Sequence, residues 1–155
     1  MNSLDVRAKL AELGLELPIA AKPVAAYVPA IRTGNIVFTA GQLPLFNGEM
    51  AGVGKVDGEI TPEKAKDLAQ ICALNALAAV ETVADINKIT KIVRVVGYVN
   101  GVPGFINAPL VVNGASELFL AIWGDGAKHA RSAVGIAELP LNSPVEIELT
   151  VEITD

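Results

Sequence analysis

Cysteine and histidine are scarce in this chain, with one of each. A lone cysteine, Cys72, excludes an internal disulfide and fits a reducing compartment. One His and one Cys are too few for a recognisable zinc pattern, so no metal is expected; no cofactor is expected either. Aromatic residues make up 5% of the chain against 52% hydrophobic residues, so Ala, Val, Leu and Ile must build the core. Positive charge is also short: 12 Lys and Arg against 17 Asp and Glu leave a net charge of −5. A general polyanion binder would show a basic face. Nucleic acid is therefore not an expected partner, although one pocket around a single arginine is allowed. No apolar run approaches the roughly 20 residues that span a bilayer. Asp5, Arg7, Lys9 and Glu12 interrupt the apolar N-terminus, which does not have the pattern of a secretory leader. The expectation is a soluble cytoplasmic protein with no membrane partner.

What is present is aliphatic. The mean hydropathy is +0.46, high for a soluble chain of 155 residues. A domain of that size leaves much of its surface exposed, so part of the surface is expected to be covered by further copies of the chain. The length suits one domain over residues 1–155. Nothing in it resembles a linker, a repeat or a low-complexity segment.

Ser3 is positioned to cap a short helix from Leu4 to about Leu13, ended by Gly14, with Leu4, Ala8, Ala11 and Leu15 on its apolar side. Pro18, Pro23 and Pro29 then favour an extended arm, so residues 1–26 form a helix and an arm. Tyr27 to Arg32 is a first strand, Thr33-Gly34-Asn35 a tight turn, and Ile36 to Ala40 the returning strand. Gly41 permits a bulge or the close approach of a ligand to the backbone. Asn47 to Gly58 is loop with room for a short edge strand. Thr61-Pro62-Glu63 is a helix start with cap, proline and acid in sequence. The helix that follows has only Asn75 polar between Ile71 and Val80, so it is buried over most of its girth. Ile89 to Val99 is a central strand. A second long helix starts at Asn107 or Ala108 and runs to about Trp123, with Gly114 marking either close packing or a kink.

The C-terminal stretch reads as two strands joined by a proline-marked loop, one opened by Arg131 and one by Glu146. In the second, Val145, Ile147, Leu149, Val151 and Ile153 alternate with Glu146, Glu148, Thr150 and Glu152. That period of two is a half-buried strand with an acidic opposite face. Arg131 and Glu146 are expected on neighbouring strands. They make either a small-molecule site or an ordinary surface, with Arg131 paired to Glu148 or Glu152. The loop register decides which, because a slip of one residue reverses a strand's faces. The element order predicts an α+β fold: a mixed sheet with two helices on one face.

Thr33-Gly-Asn-Ile-Val-Phe-Thr-Ala-Gly41-Gln42-Leu-Pro44, the Thr61-Pro62 helix, and Ala130-Arg131-Ser132-Ala-Val-Gly-Ile-Ala-Glu-Leu-Pro140 through Val145-Glu146-Ile-Glu148 together resemble the Rid family. That family is also called YjgF or endoribonuclease L-PSP. The resemblance runs from Tyr27 to Thr150. The N-terminal arm, Leu74-Asn75-Ala-Leu and Asn113-Gly-Ala-Ser116 are similar to a longer subgroup with an N-terminal extension. The resemblance implies a chorismate-mutase-like fold and a homotrimer with clefts between subunits. It implies hydrolysis of 2-imino or enamine acids to 2-keto acids and ammonia. By the same resemblance Arg131 clamps the substrate carboxylate and Glu146 handles the attacking water. Tyr27, Gly41 and Asn113 line the site. Two positions depart from the deaminase-type members: Ala40 stands where they carry serine, and Ala133 where they carry cysteine.

Those departures keep a second reading open, a non-catalytic protein that binds or senses small carboxylates. A third, a ribonuclease or translation inhibitor, is weaker because of the acidic charge and single histidine. Cys72 and Asn75 are expected as core residues, Asn75 with its amide satisfied. His129, two residues before Arg131, either lines the same cleft or, the favoured reading, is a loop residue after Gly126. Glu81, Asp85 and Asp125 are expected as solvated charges at helix ends.

Overall fold

The computed structural model describes residues 4–155. Ser3, expected as the first cap, lies outside them. Helix α1 spans Val6–Glu12 and is capped instead by Asp5, whose Oδ1 accepts from the Ala8 N–H at 3.1 Å. It buries Val6 and Leu10, while Ala8 and Ala11 of the expected apolar side stay exposed. The larger pair, four residues apart, recovers more apolar area than the two alanines would. An extended arm follows.

Strand β1 is Ala30–Thr33, starting three residues later than expected. The Tyr27 N–H turns back to the Ala25 carbonyl, and Pro29 has no N–H for a ladder. Residues Gly34 and Asn35 turn the chain into β2, Ile36–Thr39. A separate ribbon follows, β3 (Leu45–Phe46) and β4 (Glu49–Met50). The Asn75 side chain ties it down, donating to the carbonyls of Leu43 at 3.0 Å and Leu45 at 2.9 Å. The polar residue in the apolar helix is thus a satisfied core amide.

Helix α2 is Pro62–Glu81, and Thr61 Oγ1 accepts from the Lys64 N–H at its start. Every residue from Cys72 to Val80 is buried. Strand β5 is Ile89–Val99 and helix α3 is Ala108–Trp123. The two helices pack on each other with Gly114 at the contact: a methyl group there would stand 1.9 Å from the Lys66 carbonyl oxygen. Close packing, and not a kink, is what this glycine serves. Of the charges expected to be solvated, Glu81 pairs with Arg7, and Asp85 accepts from the Asn87 N–H.

Strand β6 is Ala130–Gly135 and β7 is Val145–Ile153. The sheet order is β1-β2-β7-β5-β6. All neighbours are antiparallel except β5 and β6, which are parallel with α3 as their crossover. The sheet is therefore mixed, and α2 and α3 lie on one of its faces. Leu68, Leu77, Phe119, Ile147 and Leu149 fill the space between. Each such side chain contributes about 1.5–3 kcal/mol on burial. The β7 alternation is complete, with Val145, Ile147, Leu149, Val151 and Ile153 all buried on the helix side. The open face carries Glu146, Glu148, Thr150 and Glu152, and beside them Ile31, Phe38 and Val134, which are exposed. No helix among the described residues is long and apolar enough to cross a membrane.

Candidate functional site

The sequence-predicted residues fall into two groups on opposite faces of the sheet. Arg131 does not neighbour Glu146. Strand β5 lies between β6 and β7: Arg131 pairs in register with Val95, and Glu146 with Tyr98. Val95 also pairs with Leu149, which points at the helices. Residues directly paired across strands share a face, so Arg131 is on the helix side and Glu146 on the open side. The alternative pairs, Arg131 with Glu148 or Glu152, fail for the same reason. Connection 136–144 does not form a hairpin. It passes the end of β5, where the Ile136 N–H bonds the Val99 carbonyl and the Asn100 N–H bonds the Pro144 carbonyl.

The first group is built on β6 and α3. Arg131 NH1 donates to Asn113 Oδ1 at 2.7 Å and to Ser116 Oγ at 3.3 Å. Asn113 and Ser116 lie on one face of α3 because they are three residues apart. Ala133 is two residues along β6 from Arg131, so it shares that face. It pairs with Gly97 and packs against the core. His129 lies in the loop that leads into β6, as expected, and its Nε2 is 2.9 Å from Ser116 Oγ.

The second group is built where β2 leaves the ladder. Phe38 pairs with Thr150, and the next pairing is Gln42 with Ile147. Three residues on one side face two on the other, which is a bulge. The Leu149 N–H left over is taken by Thr39 Oγ1 at 3.0 Å. The bulge carries Ala40 and Gly41 over the Glu146 side chain. Ala40 is held by its N–H on the Pro29 carbonyl, and its own carbonyl accepts from Gln42 Nε2. Burial, and then the negative charge of Glu148, raise the Glu146 carboxyl above its ordinary value. Glu148 Oε1 in turn accepts from the Tyr98 hydroxyl at 3.1 Å. Burial first and Glu148 next push that phenol up. Tyr98 and Glu148 escaped the sequence reading as site residues because their relation to Glu146 depends on the register of β5 with β7.

Tyr27 is 54% exposed on the segment before β1 and makes no side-chain hydrogen bond among the described residues. Cys72 is buried, with its thiol pushed well above the usual range by burial and then by the charge of Glu146. It is a core residue and not a thiolate. Among the described residues no three His, Cys, Asp or Glu side chains converge as a metal site would require. Two grooves of about 630 and 1060 Å³ lie along α2 and the N-terminal segment and hold none of the predicted site residues. What one chain presents is two surfaces: a guanidinium held by amide and hydroxyl, and a desolvated carboxylate beneath a backbone bulge.

The sequence profile of the family described as "YjgF/chorismate mutase-like, putative endoribonuclease" matches residues 7–153. The chain is similar to Protein TCP17 of Trypanosoma cruzi, 33% identical over 152 residues, which are 97% of this chain and 95% of that protein. It is also similar to the solved structure of Atu1372 from Agrobacterium tumefaciens, a protein of unknown function. Identity there is 40%, the TM-score is 0.89, and 96% of this chain and 92% of that one are covered. A protein from Shewanella oneidensis described as a "putative endoribonuclease" superposes with a TM-score of 0.90 at 29% identity, covering 96% and 99% of the two chains. Match, fold and motifs agree: the chain belongs to the YjgF/chorismate mutase-like family.

Proposed function

We propose that this protein hydrolyses 2-imino or enamine acids to 2-keto acids and ammonia, in clefts between the subunits of a homotrimer. The observation that carries this reading is the division of the site. Arg131 with Asn113, and Glu146 with Gly41, lie on opposite faces of one sheet, so each chain offers two halves of different clefts. The apolar side chains exposed on the open face, Ile31, Phe38 and Val134, give a further copy something to cover.

In such a cleft the substrate carboxylate takes the free edge of the Arg131 guanidinium through two parallel hydrogen bonds. That places the imine carbon against the carboxylate side. Glu146 accepts a proton from water as the water attacks the imine carbon. It returns that proton to the nitrogen, giving a carbinolamine; it then passes the carbinolamine hydroxyl proton to the nitrogen, which leaves as ammonia as the carbon–oxygen double bond forms. A carboxyl group raised toward neutral pH suits both halves of that relay. An imine is reactive by itself, so orientation supplies most of what is needed, and the chemistry requires no cofactor. Polar contacts at positions 40 and 133 come from the backbone, since both side chains are methyl groups. The endoribonuclease description of the Shewanella relative finds little support in a chain of net charge −5.

The test is a coupled assay in which a pyridoxal-phosphate enzyme releases 2-iminopropanoate or 2-iminobutanoate. Wild-type protein is expected to accelerate keto-acid release, and Arg131→Ala to remove the acceleration. Wild-type protein without effect would end the reading. Ala40 and Ala133 favour one alternative, a binding protein, and saturable binding of a 2-keto acid without turnover would establish it.

A further inference from the structure

Beside Arg131 stands a chain of hydrogen bonds that the proposed reaction does not use. His129 Nδ1 lies 2.7 Å from the Ala127 carbonyl oxygen. A carbonyl only accepts, so Nδ1 carries the proton, and Nε2 of the neutral ring offers a lone pair. Ser116 Oγ, 2.9 Å from Nε2, must then donate its hydroxyl proton to the ring. That leaves the lone pairs of the serine oxygen for Arg131 NH1, 3.3 Å away. Phe119 stands edge-on to the imidazole, with ring centroids 6.1 Å apart. Every proton in the series Ala127, His129, Ser116, Arg131 has one assigned place.

Neither side chain needs these partners for the fold. A serine inside a helix can bond back to its own helix carbonyl, and a half-buried histidine can reach water. Instead Ser116 bonds Arg131 and His129, and His129 bonds Ser116 and the Ala127 carbonyl. We infer that Ser116 and His129 are positioning residues that fix the orientation of the Arg131 guanidinium. This rests on the reading of Arg131 as a carboxylate clamp. Asn113 alone would hold NH1 at one point and leave the plane of the group free to turn about it. Ser116 supplies the second point. With both N–H groups of NH1 taken, Nε and NH2 remain as donors. A planar carboxylate is bound through two parallel bonds only if that edge is presented in one plane. His129 acts one step further out, by holding the serine hydroxyl so that its oxygen faces the arginine.

The experiment uses full-length, ¹⁵N-labelled protein and three variants: Ser116→Ala, Ser116→Thr and His129→Leu. Imidazole nitrogen shifts of the wild type are expected to show a protonated Nδ1 and a bare Nε2. The Arg131 side-chain signal is expected to lose order in Ser116→Ala and His129→Leu and to keep it in Ser116→Thr, which retains the hydroxyl. In the keto-acid assay, Ser116→Ala is expected to raise KM by about two- to tenfold, the loss of one such bond, with little change in kcat. An Nε2–H ring, or an Arg131 equally ordered in all variants, would overturn the inference. So would Ser116→Thr failing together with Ser116→Ala, since that outcome reports packing. The order measurement needs no substrate. Wild-type protein whose Arg131 loosens on Ser116→Ala, yet which releases no keto acid, would count against the hydrolase reading alone.

Discussion

Gly41 and Glu146 compete for the same space: a Cβ on residue 41 would stand 2.1 Å from Glu146 Oε1 and 3.1 Å from its Cγ. The bulge at Ala40–Gly41 thus lies directly on the carboxylate. The atoms that would collide are the far end of a flexible side chain, so an added methyl displaces the carboxylate more readily than the backbone. Gly41→Ala is expected to fold with a melting temperature within a few degrees of wild type. Its keto-acid release is expected to fall by about tenfold or more, because the group that handles water is out of place. Binding of a 2-keto acid through Arg131 should change little. Kinetics, calorimetry and a thermal melt on the same preparation separate the three. A variant that melts far below wild type would show that Gly41 serves the bulge and not the carboxylate.

The raised carboxyl of Glu146 has a consequence for stability. Burial and Glu148 lift it above the unfolded value, which is about 4.3 for a glutamate. Between the two values the folded state holds more protons than the unfolded state. Stability from this residue therefore falls as pH rises through that window. Glu146→Gln removes the charge and with it the loss. The variant is expected to melt above wild type at pH 7, with the difference shrinking as pH falls through that window and gone below about 4. Melts of both proteins across that range give the difference free of the other carboxylates. A difference that stays constant, or grows on acidification, would contradict the desolvation of Glu146.

Local signals and distant pairings were not equally legible in the sequence. Helix α2 was plain because Thr61, Pro62 and Glu63 mark its start and one apolar surface runs its length. Strands β5 and β7 were plain from their residue types and from strict alternation. The relation of Arg131 to Glu146 was not, because strand order is a matter of topology. A short connection between two strands suggests a hairpin, but β6 takes the free edge of β5, in parallel, after the α3 crossover. The strand that separates the two residues is far from both in sequence. The contact between Ser116 and His129 was hidden for a similar reason. They are 13 positions apart and meet only because α3 lies across the start of β6. The first strand starts later than its residue types suggest because Pro29 has no N–H for the ladder and Tyr27 sits in a local turn.

Opposite faces make the proposed cleft testable by mixing. If Arg131 and Glu146 of one chain serve different clefts, Arg131→Ala keeps a sound Glu146 surface and Glu146→Ala keeps a sound Arg131 surface. Each variant alone is expected to be inactive, since every cleft in it lacks one group. In a cyclic trimer each interface joins one surface to the other surface of the next subunit. Unfolding the two variants together and refolding them at equal concentration distributes the subunits at random. A cleft is complete when one named variant supplies the carboxylate side and the other the arginine side, so about one quarter of clefts are restored. The expected result is keto-acid release at about one quarter of the wild-type rate, absent when the variants are mixed without refolding. Zero activity after refolding, with trimers confirmed by light scattering, would show that Arg131 and Glu146 do not meet across subunits. The carboxylate clamp and the water-handling group would then have to be sought in one chain, where β5 keeps them apart.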